Sequence, residues 1–346
     1  MNGRSTSNRR LQTYRPTVSV ALGDSLEKIG GMKTAEKWRS LLCFRNLFSA
    51  GIALFSAGTA GAEPGKISAN VFRSAALGDQ LSYLVYLPSG YDASREARFP
   101  VVYLLHGRGN SMEAWRMIAP DLDRMIEAKQ IPPVIAVMPD APSNHRANYY
   151  IDSQATDGRP VETAITVDLV QHIDATFRTV AQRSGRIVAG YSMGGYGALR
   201  FSLAHPELFF AAIVLSPAVY FPLPPRASST REFGAFGNGD VKFDDAIYRG
   251  KNYPAILPTF QAAGRPLVMF IAVGDDEAAN ADPTEASNDL DYEAHTLYNH
   301  LRRIKEIAVE LRVVNGGHNW TTWRPTFLEG LIHVFHPPPP AAVKPK

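Results

Sequence analysis

Cysteine is nearly absent. The 346 residues contain one, Cys43, which excludes an internal disulfide and any zinc site built on paired cysteines. Long apolar runs are missing too. The stretch 47–55 is the longest near the N-terminus and falls short of the ~20 residues needed to cross a bilayer. Nor is there an excess of one charge: 36 Lys/Arg face 33 Asp/Glu, for a formal net charge of +3. Even that surplus is local, because residues 1–62 hold nine basic and three acidic residues, leaving 27 basic and 30 acidic beyond them. The body therefore has no basic stripe of the kind that nucleic-acid binding requires. No internal repeat is visible. What is present is ordinary globular composition, 45% hydrophobic and 20% charged, which excludes a wholly disordered or collagen-like chain.

The N-terminal surplus has the form of an address. Lys33, Lys37, Arg39 and Arg45 precede the apolar stretch 47–55, and Ala60-Gly61-Ala62 offers a small-x-small cleavage site before Glu63-Pro64. Residues 32–62 are thus expected to be a secretory signal peptide, with Met32 as the real start or the polar, unpatterned residues 1–31 as a disordered or untranslated leader. Cys43 lies ahead of the apolar stretch and follows Leu42, which argues against a lipoprotein. Cleavage after Ala62 would leave no cysteine, which suits a secreted or periplasmic protein without stable membrane insertion.

Beyond residue 62 strands and helices alternate. Strands are expected at 81–87, 99–105, 134–138, 186–189, 211–215, 267–273 and 308–314, several as continuous apolar runs typical of strands covered on both faces. Helical spacing marks 112–129, 161–180, 194–205, 291–304 and 323–335. The alternation predicts an α/β domain over 63–335, with a mostly parallel central sheet and helices on both faces. Residues 216–259 break the rhythm with Pro, Gly and aromatics and are expected to form a lid or a surface excursion. The tail 336–346 holds four consecutive prolines and reads as an extended, solvated end.

The strongest local motif is Gly190-Tyr191-Ser192-Met193-Gly194, a G-x-S-x-G sequence between a buried strand and a small-residue helix. Such an elbow holds a serine in a strained turn with its hydroxyl exposed, and the helix start supplies amides for an oxyanion. A serine nucleophile needs a base, expected beyond the last strand. Of nine histidines, His318 alone follows a late strand directly, in Gly316-Gly317-His318. The acid that orients it is expected after 267–273, where Gly274-Asp275-Asp276-Glu277 offers three carboxylates. Glu277 is favoured by its offset from Gly274; Asp276, Asp289 and Asp291 are alternatives. The oxyanion hole is expected from the Met193 amide and from that of Arg108 or Gly107, in the His106-Gly107-Arg108-Gly109 loop. His106 is expected to pack beneath that loop. No cofactor or metal is called for by this chemistry.

With these residues in place, the chain resembles the esterase-D-type putative esterase family of α/β-hydrolases. That family includes feruloyl esterases, S-formylglutathione hydrolases, siderophore esterases and mycolyltransferases. The resemblance rests on LSYLVYLPSGYD (81–92), PVVYLLHGRGNSMEAW (100–115), NYYIDS (148–153), AGYSMGGYGALRFSLAHPELF (189–209), FIAVGDDE (270–277) and VVNGGHNWTTWRPTFLEGL (313–331). It implies an α/β-hydrolase fold, Ser192 as nucleophile, His318 as base and Glu277 as acid, although the family acid is usually Asp. It further implies a secreted, feruloyl-esterase-like serine carboxylesterase acting on a small-molecule or polysaccharide-linked ester. Trp320, Tyr191 and Tyr150 are expected to line the acyl site, with Trp323 as a second wall or a core anchor and Tyr149 and Asp152 across the cleft. Acyl transfer to another alcohol, hydrolysis of a siderophore or other ester, and a non-catalytic carbohydrate- or surface-binding relative are the alternatives.

Overall fold

Continuous apolar runs become the centre of one sheet. The computed structural model describes residues 63–277 and 282–337, so the expected leader, the signal peptide and nearly all of the Pro-rich tail lie outside the described residues. In chain order the elements begin with β1 (Lys66–Ser74), β2 (Asp79–Leu87), β3 (Val101–Leu105), α1 (Ala119–Glu127), β4 (Ile135–Pro139) and the short β5 (Gln154–Ala155). Next come α2 (Val161–Thr163), a π-helical stretch at Ala164–Leu169, and α3 (Val170–Thr176). They continue with β6 (Arg186–Tyr191), α4 (Met193–Ala204), β7 (Ala211–Leu215), the short β8 (Asn238–Gly239), α5 (Asp245–Lys251) and α6 (Tyr253–Ala263). The last are β9 (Leu267–Gly274), α7 (Leu290–Leu301), β10 (Ile307–Val314) and α8 (Trp320–Phe335).

The main sheet has eight strands in the order β1-β2-β4-β3-β6-β7-β9-β10. From β4 to β10 every neighbouring pair is parallel, and β2 runs against both β1 and β4. Every residue of β3, β4, β6, β7 and β9 is buried, as strands covered on both faces must be. Alternation divides the core. Val188, Val214 and Ile271 pack with Leu199, Phe260 and Leu297 from α4, α6 and α7. Their neighbours Ile213 and Phe270 face the other way, where Gly330 lets α8 lie close.

The helix expected over 161–180 is broken by the π-helical stretch and ends at Thr176, the short strands β5 and β8 were not expected, and three larger elements also depart from the sequence reading. Strand β1 was not expected: its polar KISANVFRS carries little apolar signal, and it forms because nine register pairs tie it to β2. The 216–259 stretch carries α5 and the start of α6, so part of it belongs to the helical layer. Asp244 caps α5 by accepting the Ala246 and Ile247 amides, and α6 runs on to Gly264 despite Pro258, with Phe260 fully buried. The single helix expected over 112–129 is split into a 3₁₀ segment, Met112–Ile118, and α1, which restarts with Pro120 in its first turn.

Candidate active site

The carboxyl ends of parallel strands collect the residues that the motifs single out. Ser192 connects β6 to α4 with φ 56° and ψ −120°, a conformation that non-glycine residues rarely adopt. The surroundings over-determine it. The Ser192 amide donates to the Leu215 carbonyl, and its own carbonyl accepts from the Tyr196 and Ala218 amides. Glycine is required on both sides: a Cβ on Gly190 would collide with the Gly194 carbonyl, and one on Gly194 with the Leu105 carbonyl. Strand, turn and helix thus meet at contact distance, which thrusts the serine hydroxyl outward.

His318 follows β10 and Glu277 follows β9. His318 Nε2 lies 2.9 Å from Ser192 Oγ, and its Nδ1 lies 2.7 Å from Glu277 Oε2. The arrangement fits an Nδ1–H imidazole that donates to the carboxylate and leaves the Nε2 lone pair for the serine proton. Glu277 is buried at 3% exposure, and its Oε1 accepts from the Gly274 amide and the Ser216 hydroxyl, each at 2.7 Å. Asp275 and Asp276 are exposed; the Asp275 carboxylate instead accepts the Gly316 amide, and the Asp276 amide donates to the Gly316 carbonyl. The acid and histidine loops are thereby stitched together. Asp289 stands at the N-cap of α7 and Asp291 in its first turn.

The loop after β3 shows how an amide is aimed. His106 Nδ1 donates to the Gly107 carbonyl at 2.8 Å, and the Asn110 amide donates to the same oxygen. Because a trans peptide directs its C=O and N–H to opposite sides, this turns the Arg108 amide away from the core. The backbone of Gly107 faces the Tyr191 hydroxyl instead. Among the described residues neither the Arg108 nor the Met193 amide donates to a backbone acceptor outside a helix, and Met193 opens α4, where amides have no intrahelical partner. His106 is fully buried, and its Nε2 approaches Asp140 at 3.5 Å. Burial raises the Asp140 carboxyl, but His106 and Arg146 outweigh it and bring it down to about 2. Arg146 also accepts the Gly109 amide on its carbonyl, so the loop is clamped at both ends. His106 packs beneath the loop, as expected, but its bond to Gly107 is more than packing.

Several expected wall residues are elsewhere. Tyr150 is fully buried and its hydroxyl donates to the His106 carbonyl, so it supports the loop and does not line a cleft. Tyr191 is sealed at 1% exposure between Trp115, Trp320 and Trp323, because the residue before the elbow points into the sheet layer. Tyr149 is buried against Thr230, and Asp152 caps the helix at Thr163. Trp320 is half-buried at the rim. Trp323 is an anchor: it stacks on Tyr191 at 4.3 Å, meets His318 edge-on at 4.9 Å and donates its indole N–H to Ser216. Ser216 itself escaped the sequence reading; its one signal is its place at the carboxyl end of a parallel strand. No group of three or more metal-ligating side chains is found among the described residues. An open cavity of about 490 Å³ is lined by His145, Asp157, Phe233, Asp240 and Lys242 among others, and Phe233 lies under the Arg108 guanidinium.

A family model described as putative esterase matches residues 74–334. The chain is similar to an esterase of Mycobacterium tuberculosis, 34% identical over 143 residues that cover 41% of this chain and 30% of that protein. It is also similar to an endo-1,4-beta-xylanase/feruloyl esterase of Xylanibacter ruminicola, 29% identical over 189 residues, 53% of this chain and 26% of that protein. The chain spans less than a third of the length of either relative. A solved structure of a ferulic acid esterase superposes with a TM-score of 0.63 at 23% identity, over 79% of this chain and 98% of that one. That likeness is one of fold, the α/β-hydrolase fold.

Proposed function

Starting from the fact that this chain belongs to the putative esterase family, whose model matches residues 74–334, we propose that it is a serine carboxylesterase. One observation carries the reading: Ser192 Oγ and His318 Nε2, 126 residues apart in the chain, lie 2.9 Å apart, with Glu277 on the far nitrogen of the same ring. In this reading Ser192 attacks the ester carbonyl while His318 takes its proton. The tetrahedral oxyanion sits between the Met193 and Arg108 amides. His318 then returns the proton to the departing alkoxide, leaving an acyl-Ser192, and water attacks by the same route in reverse roles. Each oxyanion donor contributes ~10²–10³ in turnover.

Replacing Ser192 with Ala should abolish hydrolysis of a p-nitrophenyl acyl ester and labelling by a fluorophosphonate, with the circular dichroism spectrum unchanged. Undiminished hydrolysis by that variant overturns the assignment. The class of ester follows the relatives: an aryl or short acyl ester on a sugar or polysaccharide, with half-buried Trp320 at the rim as the aromatic contact. A panel of feruloyl, acetyl-xylan, siderophore and short acyl esters ranks these by kcat/KM.

Export is part of the proposal. Its support is the basic, apolar and small-x-small order of residues 32–62. N-terminal sequencing of protein recovered outside the cytoplasm should begin at Glu63; a chain that retains residues 32–62 rejects export by cleavage there.

A further inference from the structure

The acid here is a glutamate, and its longer side chain has one more torsion to fix than aspartate. Its Oε2 faces His318, so the rotation of the carboxylate about its last bond decides whether the imidazole is held. The other oxygen sets that rotation, through the Gly274 amide and the Ser216 hydroxyl. Ser216 Oγ lies 2.9 Å from Trp323 Nε1. An indole N–H only donates, so it occupies an acceptor position on the hydroxyl and leaves the single hydroxyl proton for Glu277. The three groups are shielded from water, with Ser216 at 0%, Glu277 at 3% and Trp323 at 7% exposure, so no solvent competes for these bonds.

The backbone adds a second observation. Ser216 directly follows β7 at φ 41°, in the left-handed region that glycine occupies with less strain. Its amide is held by the Ala272 carbonyl at 2.7 Å. A buried serine kept in that conformation has its hydroxyl as the distinguishing feature. We propose that Ser216 is a positioning residue for the triad, its proton directed by Trp323, and that together they lock the Glu277 carboxylate onto His318. The inference rests on the serine-esterase reading above. Trp323 is suited to the task because its ring also stacks on Tyr191, the residue before the nucleophile, and meets His318 edge-on. One indole thus sets the register of the serine, histidine and acid loops.

The test compares Ser216→Gly, Ser216→Cys, Trp323→Phe and the Gly/Phe double variant, with Ser192→Ala alongside. Glycine suits the positive φ and removes the whole hydroxymethyl side chain, and Phe keeps the stack while removing the N–H. On a p-nitrophenyl ester, Ser216→Gly should lose about 10- to 100-fold in kcat with KM within about twofold, the scale of a misplaced catalytic group. Its circular dichroism spectrum should be unchanged, and the low-field proton resonance of the His318–Glu277 bond should move or broaden. Ser216→Cys, which keeps the volume and a weak donor, should recover part of the loss. The double variant should lose no more than Ser216→Gly alone, because both changes act through one proton. Parental kcat in Ser216→Gly, a loss confined to KM or melting temperature, or additive losses in the double variant would overturn the proposal. Hydrolysis surviving in Ser192→Ala would bring down the esterase reading and this proposal together. An inert Ser192→Ala beside a fully active Ser216→Gly would bring down this proposal alone.

Discussion

At the scale of single residues, burial selects one carboxylate out of three. Asp275 and Asp276 stay in water, and Glu277 is withdrawn from it with every oxygen bonded. Changing Glu277 to Gln keeps the shape but either places an amide N–H against His318 Nδ1–H or forces the ring into its other tautomer. We expect kcat to fall by ~10³–10⁴ with little change in KM, measured on a p-nitrophenyl ester. Within the site, what the sequence disclosed was local. Ser192 lies in a motif of a few residues, and His318 follows two glycines at the end of a strand. What it withheld was relational. Ser216 acquires meaning only from Trp323 and Glu277, 107 and 61 positions away, and His106 only from a carbonyl whose orientation no composition reveals. Tyr150 and Tyr191 were misread for the same reason: an aromatic beside a motif gives no sign of which face it takes.

At the scale of elements, the buried runs announced the central strands, and their bounds moved by one or two residues. The misses were edge or Pro-bearing pieces, β1 and α6, which exist because a partner strand and a core pocket for Phe260 stabilise them. A buried acid helps tie helix α7 to the segment after β7, where Phe221 also meets His300 edge-on. Glu293 accepts the Phe221 amide, and burial, only partly offset by that bond, pushes its carboxyl up to about 8. Tyr220 and Tyr253 lie within range of the same carboxyl. The native state therefore holds a proton that the unfolded chain has released between about pH 4.5 and 8. This contribution to stability is complete below that window and declines as pH rises through it. Glu293→Gln keeps the acceptor and removes the titration. Its melting temperature should change less between pH 5 and 8 than the parent's, with the difference in free energy on the order of 1–3 kcal/mol. Equal slopes for the two proteins would refute the link.

At the scale of the whole molecule, alternating strands and helices foretold the layered architecture, and the motifs, in their order along the chain, fall on one rim of the sheet. No helix among the described residues is long and apolar enough to cross a membrane. The parallel strands explain why residues so distant in sequence converge: each strand delivers its carboxyl end to the same edge. The matched segments make up less than a third of each of the two relatives, 30% of one and 26% of the other.

The contorted backbone at position 192 has a cost that the rest of the protein absorbs. Native contacts hold that residue in a geometry worth ~1–3 kcal/mol of strain, an amount comparable to a large fraction of a domain's margin against unfolding. Glycine at 192 would be dead as an enzyme yet no easier to melt than the parent, although glycine loosens most proteins by ~0.5–1 kcal/mol. Calorimetry on Ser192→Gly would read this as an equal or higher transition temperature, and a clear drop would mean the turn is relaxed. On the serine-esterase reading, heat tolerance and turnover are thus set against each other at one amino acid, so selection for durability alone would erase the chemistry first.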